Sequence, residues 1–203
     1  MGCRDRGKTN PFGARSNMPQ VPAFRTETCR DFAAHWHAVR GDQQEPPTVK
    51  TFLAVLNTKT QPFSMIIDVP DEENLKVRLF AAGLAERAGI DVTNSNLHAF
   101  TASPVIAKNL ATACMIVSRR RCGMLSVKRA ISAKGRELTV ESVSFPLLPD
   151  SDGPPAICTG IDVVERLSTQ DTVFQIVSYV TADWLDLGFG VPDIRLRMEH
   201  QAA

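Results

Sequence analysis

The chain has 203 residues, 43% of them hydrophobic and 22% charged, which fits one globular domain with a core of its own. Twenty-three basic against 22 acidic residues leave a net charge of +1, which excludes a global field for nucleic acid or anionic membrane. No stretch approaches the roughly 18 apolar residues of a spanning helix, and the basic start lacks the apolar segment of a secretion signal, so the expected location is the cytoplasm.

Residues 1–25 mix Gly, Pro, Arg and Asn without helical or strand period, the pattern of a disordered tail. The opening Met1-Gly2-Cys3 fails the myristoylation pattern at Arg6. The spacing predicts an N-terminal helix over 26–40: Cys29, Phe32, Ala33, Trp36 and Val39 recur at three- and four-residue steps, Thr28 and Asp31 resemble a capping box, and Gly41 follows as a stop. A second short helix is expected over Val49–Asn57. "FSMIIDV" (Phe63–Val69) and "LKVRLFA" (Leu75–Ala81) read as a β-hairpin around the acidic turn "PDEEN". Ala82–Ala88 is a short helical piece closed by Gly89, and Ser103–Arg119 a longer helix with Val105, Ile106, Leu110, Ala113 and Val117 as its apolar stripe.

Strands follow at Gly123–Ser132, Arg136–Leu147, Ala156–Glu165 and Thr172–Thr181, the first two joined by "AKG" with Gly135 able to take positive φ. In the second of these the apolar phase slips between Leu138/Val140 and Val143/Phe145, which implies a β-bulge or a change of packing neighbour. Residues 26–182 are read as one domain and 183–203 as an irregular C-terminal extension anchored by Trp184, Leu185, Leu187 and Phe189. Strands on both sides of a helical middle point to an α+β fold.

That order, with "HWHAVRGDQQEPP", "PFSMIIDV", "VRLFAAGLAERAGIDVTNSNL", "CGMLSV" and "FPLLP", resembles a PAS-like sensor family found chiefly in alphaproteobacteria. The resemblance spans about Asp31–Glu165. It departs at Ala81-Ala82, where such proteins run into Gly-Thr, and at Asn94, which replaces the Gly of a "D-x-T-G" turn. Asn tolerates the left-handed conformation, so that turn can survive. The resemblance implies a five-stranded antiparallel sheet with helices on one face and an N-terminal flanking helix, an apolar pocket, and homodimerisation through that helix. It also implies a non-catalytic role in bacterial signal transduction through an unidentified protein partner. Haem, flavin or a small metabolite occupies some such pockets, and others have no identified ligand.

Candidate site residues follow from the same reading. The pocket candidates are Ile67, Phe80, Leu84, His98, Phe100, Ile106, Leu110, Leu125, Val127 and Phe145, with His98 placed as a haem ligand would be and a lone surface histidine as the plainer reading. The flavin reading lacks its reactive Asn-Cys-Arg motif. Trp36 and Arg40, four apart on one helix face, are candidates for a partner contact. His35 and His37 diverge by about 200° on a helix and do not form a metal site. Arg119, Arg120 and Arg121 are anion-binding candidates, or else a solvated helix end. Five cysteines (Cys3, Cys29, Cys114, Cys122, Cys158) lack metal or disulfide spacing and read as free thiols, with Cys122 the one whose pKa neighbouring cations could depress. No hydrolase, phosphate-loop or zinc-protease motif is present. The enzymatic alternative is a cone-shaped α+β isomerase or dehydratase, with Asp68 or His98 as base and Tyr179 as the only tyrosine.

Overall fold

The computed structural model describes residues 23–132, 135–164 and 174–196. Readings that concern the tail, Cys3, Glu165 and Thr172 lie outside them. Helix α1 (Glu27–Arg40) starts at Thr26, whose extended backbone lets its hydroxyl accept from the Cys29 amide at 3.3 Å. Thr28, expected to cap, instead donates to Asp162 at 2.5 Å. Helix α2 (Val49–Ala54) and a 3-10 turn (Gln61–Phe63) lead into strand β1 (Ser64–Asp68), which pairs antiparallel with β2 (Lys76–Phe80) as the expected hairpin. Helix α3 (Ala82–Ala88), a second 3-10 turn (Leu97–Phe100) and helix α4 (Pro104–Arg120) form the helical middle. Asn94 takes a φ of 69°, the left-handed turn its side chain permits. Strands β3 (Gly123–Ser132), β4 (Glu137–Leu147), β5 (Ala156–Val163) and β6 (Phe174–Leu185) follow.

All pairings are antiparallel, in the order β2-β1-β5-β4-β3-β6. Five strands make the split sheet that the resemblance implies, and β6 adds a sixth on the outer side of β3. Strand β6 crosses the boundary drawn at 182/183, and Leu187 and Leu196 beyond it are buried. The C-terminal stretch is thus part of the domain through residue 196.

Both faces of the sheet are covered, by α3 and α4 on one and by the N-terminal α1 with α2 on the other. Ile66, Leu125, Phe145 and Cys158 pack with Phe32 and Trp36 of α1 and Phe52 of α2. Their neighbours Ile67, Met124 and Ile157 point the other way and pack with Leu84 of α3 and Leu110, Ala113 and Val117 of α4. Strand β4 keeps an unbroken register with both neighbours, so its slipped apolar phase is not a bulge. It is a strand buried on two faces, with Val143 and Phe145 toward α1 and Leu138 and Val140 toward Ile161.

The N-terminal helix packs directly on the sheet. Trp36 has no exposed surface; its ring stacks on Phe145 at 4.7 Å between centroids and its indole N–H donates to the Pro146 carbonyl at 3.3 Å. Gly160 of β5 makes this closeness possible: a Cβ there would lie 2.5 Å from Phe32 Cγ. Gly160→Ala is therefore expected to cost about 1–3 kcal/mol by overpacking, read as a lower urea midpoint at unchanged m.

Candidate functional site

Between α4 and the sheet lies a cavity of about 70 Å³. Most of its wall is apolar, from Leu110, Ala113, Cys114 and Val117 of α4 and Met65, Ile67, Ile157 and Ile161 of the sheet. The remainder is a polar strip formed by Lys128 of β3, Ser142 and Ser144 of β4 and Thr159 of β5. The strip arises from register: Ser126 faces Ser142 across β3 and β4, and Ser144 faces Thr159 across β4 and β5. Cross-strand partners sit close enough for their hydroxyls to bond, at 3.0 Å for Ser126 and Ser142 and 2.9 Å for Ser144 and Thr159.

Lys128 is the unusual member. It is only 6% exposed, and its ammonium donates to Ser142 Oγ at 2.5 Å and lies 5.3 Å from the Tyr179 ring centroid. No carboxylate pairs with it among the described residues. Glu141, one residue from Ser142, faces the opposite side of the sheet and is occupied there by Arg25 N, Thr26 N and Thr26 Oγ1. Burial pulls Lys128 down from 10.5 to about 8, with Cys114 and Cys29 acting weakly the other way. Burial likewise pushes the Cys114 thiol up to about 12 and the Tyr179 phenol well above its usual range. At pH 7 the cavity therefore holds, among the described residues, one charge, a mainly protonated ammonium.

Two bulges in β6 place Tyr179 beside it. Opposite β3, the β6 register skips at Val180 and again at Val177. The first skip turns Tyr179 onto the face that straight alternation would give to Val180, and the second returns the original parity, so Trp184, Ala182, Tyr179 and Ile176 all pack on the α4 side. The Tyr179 hydroxyl is 2% exposed as a residue and finds no hydrogen-bond partner among the described residues.

Of the expected pocket residues, Ile67 and Leu110 line the cavity. Leu84, Phe80 and Phe100 pack in the surrounding α4-side cluster without reaching the wall, and Ile106 is buried on α4 outside it. Leu125 and Phe145 belong to the α1 side, and Val127, which shares the parity of Leu125 on β3, is buried away from the cavity. These are corrections that follow from a sheet buried on both faces. His98 also misses the wall: its Nε2 lies 2.8 Å from the Glu72 carbonyl. Trp36 is core, and Arg40 donates to the carbonyls of Gln43, Gln44 and Leu187 while lying 5.7 Å from the Trp36 ring centroid, so both hold the chain to itself. Arg119 and Arg120 are exposed, whereas Arg121 turns back to pair with Glu45 over the Phe189 ring, so the three do not converge on an anion. Cys122 is buried, which pushes its thiol up to about 11 instead of down. His35 contacts Asn57 and Phe52, and His37 the rings of Trp36 and Phe145.

Neither haem nor flavin fits these residues. A cavity of about 70 Å³ is well short of the roughly 300 Å³ at which drug-sized sites begin, and His98 is turned to the Glu72 backbone. No helix among the described residues is long and apolar enough to cross a membrane.

A split antiparallel sheet, a helical middle and a sheet-backed cavity define a PAS-like α+β fold. No protein-family model and no curated protein sequence matches the chain. Among solved structures it is similar to a Rhodobacter sphaeroides LOV protein, at 11% identity over 70% of this chain and 72% of that one with a TM-score of 0.41. It is similar also to the PAS domain of BvgS from Bordetella pertussis, at 15% identity, 57% and 85% coverage and a TM-score of 0.41. A fungal LOV domain photoreceptor matches at 13% identity, 66% and 90% coverage and a TM-score of 0.43.

Proposed function

We propose that this chain is a non-catalytic sensor module of bacterial signal transduction that takes a small molecule into the cavity and passes the signal on through protein contacts, as a homodimer. The observation that carries the reading is Lys128, a charge buried in an apolar chamber beside free volume and without a counter-charge among the described residues. A packed core gains nothing from such a group, and a binding site does. Neither Asp68 nor His98, the bases of the pocket-enzyme alternative, lines the cavity. Asp68 is paired with Arg78 at 2.6 Å.

Because Trp36 is core, the proposed dimer contact lies elsewhere on the surface, and the test uses the full chain. Thermal melting against a panel of small metabolites, with the mass measured by light scattering, is the experiment. The expected result is a dimer whose Tm rises with one chemical class, since a ligand that binds only the native state raises stability. A monomer that no compound stabilises would sink the reading.

A further inference from the structure

We infer that the cavity recognises a short-chain monocarboxylate, of acetate to butyrate size, with Lys128 as the counter-charge. The inference rests on the sensor reading and names the ligand class for that site.

Three features of the cavity argue for this class. Among the described residues Lys128 is the single charged one in its lining, so the complementary ligand carries one negative charge; a phosphate dianion would meet too few cations. An ammonium has three donors, and one is used on Ser142. Ser144 and Thr159 spend one hydroxyl proton on each other, which leaves the second to donate outward. A carboxylate, acceptor-only with two oxygens, matches donors from Lys128 and the hydroxyl pair. The opposite wall of Leu110, Ala113, Val117 and Ile157 offers only apolar contact, which suits a short alkyl tail. The volume sets the length: about 70 Å³ compares with the roughly 10–15 Å³ that one water-sized probe occupies, which leaves room for a carboxylate and one to three carbons.

The test is a set of thermal melts of the full chain in sodium acetate, propionate and butyrate, against sodium chloride at equal ionic strength and against neutral propionamide. Propionate or butyrate is expected to raise Tm by about 5 °C at some hundredfold excess over Kd, with no rise from propionamide. Lys128→Met removes the charge and Ala113→Leu fills the cavity with the charge kept; both are expected to abolish the rise. Should a variant not fold, methyl resonances of the unaltered protein serve instead: propionate is expected to shift Ala113, Ile157 and Ile161. An equal rise with propionamide, an equal rise in both variants, or methyl shifts confined to the surface would overturn the inference. Stabilisation by a neutral metabolite alone would overturn the ligand class and leave the sensor reading standing. A response to neither class would overturn both.

Discussion

Lys128→Met is expected to make the ligand-free protein more stable at pH 7, by roughly 2–3 kcal/mol. Lys128 titrates at about 8 in the fold against 10.5 in the open chain, and each unit between them is about 1.4 kcal/mol, so holding the ammonium buried costs on the order of 3 kcal/mol. The lost bond to Ser142 returns about 1 kcal/mol of that, while the thioether keeps most of the buried stem volume. The depressed folded pKa also gives a sign. The unfolded chain binds more protons between pH 8 and 10.5, so the Lys128 contribution to stability rises with pH across that window and is fully absent below it. The advantage of the Met variant is therefore expected to be largest at and below pH 7 and to shrink as pH passes 8 and 9. Cys29, Cys114, Cys122 and Cys158, all raised by burial, act oppositely, because their thiols lose protons first in the unfolded chain. They are present in both proteins, so the difference between the two urea curves at pH 7, 8 and 9 isolates Lys128. A variant less stable than the parent at pH 7, or a difference flat across pH, would remove the claim that an uncompensated charge sits in the cavity.

The elements of the fold were readable because each follows a local rule. Cys29, Phe32, Ala33 and Trp36 mark the buried face of α1 by spacing alone, and β3 and α3 end where their sequence signals place them. What spacing leaves open is which partner a face meets. The apolar stripe of α1 serves a dimer contact as well as its own sheet; the contact between Phe32 and Gly160, 128 positions apart along the chain, decides for the sheet. Strand β6 was cut short because Ile176, Tyr179, Ala182 and Trp184 share a face only by virtue of two bulges, and that three-residue step imitates no strand. The cavity strip was hidden for a related reason. Ser126, Lys128, Ser142 and Ser144 alternate with apolar residues, and on a sheet with one solvated face that alternation means water. One signal pointed the other way: Met124, Ala130, Leu138 and Val140 share parity with them, so the polar residues sit among apolar ones on a face too apolar for solvent.

The second large effect is expected at Glu141, on the reverse of the same strand. Glu141→Ala should cost about 3–5 kcal/mol, because this carboxylate has no exposed surface and accepts from Arg25 N, Thr26 N and Thr26 Oγ1 at 2.6–2.7 Å. It also lies at the positive end of the α1 dipole. Removing it strands those donors where the chain enters the helix, and Thr26 loses the bond that orients its cap. Glu141→Gln keeps one accepting oxygen and should cost about half as much. Hydrogen exchange discriminates this anchoring role from general core damage: α1 amides should lose protection ahead of the β5 amides that pair with β4. Equal loss in both elements, or a cost under about 1 kcal/mol, would remove Glu141 as the anchor of α1. Under the proposed sensor role the position couples cavity and helix, because Glu141 and Ser142 are consecutive residues on opposite faces of β4. One holds α1 and the other holds Lys128. A ligand that draws the Lys128 ammonium off Ser142 would act on the same short stretch of backbone that seats the N-terminal helix. Such a ligand should therefore change α1 exchange rates in the parent protein, and should not do so in Lys128→Met.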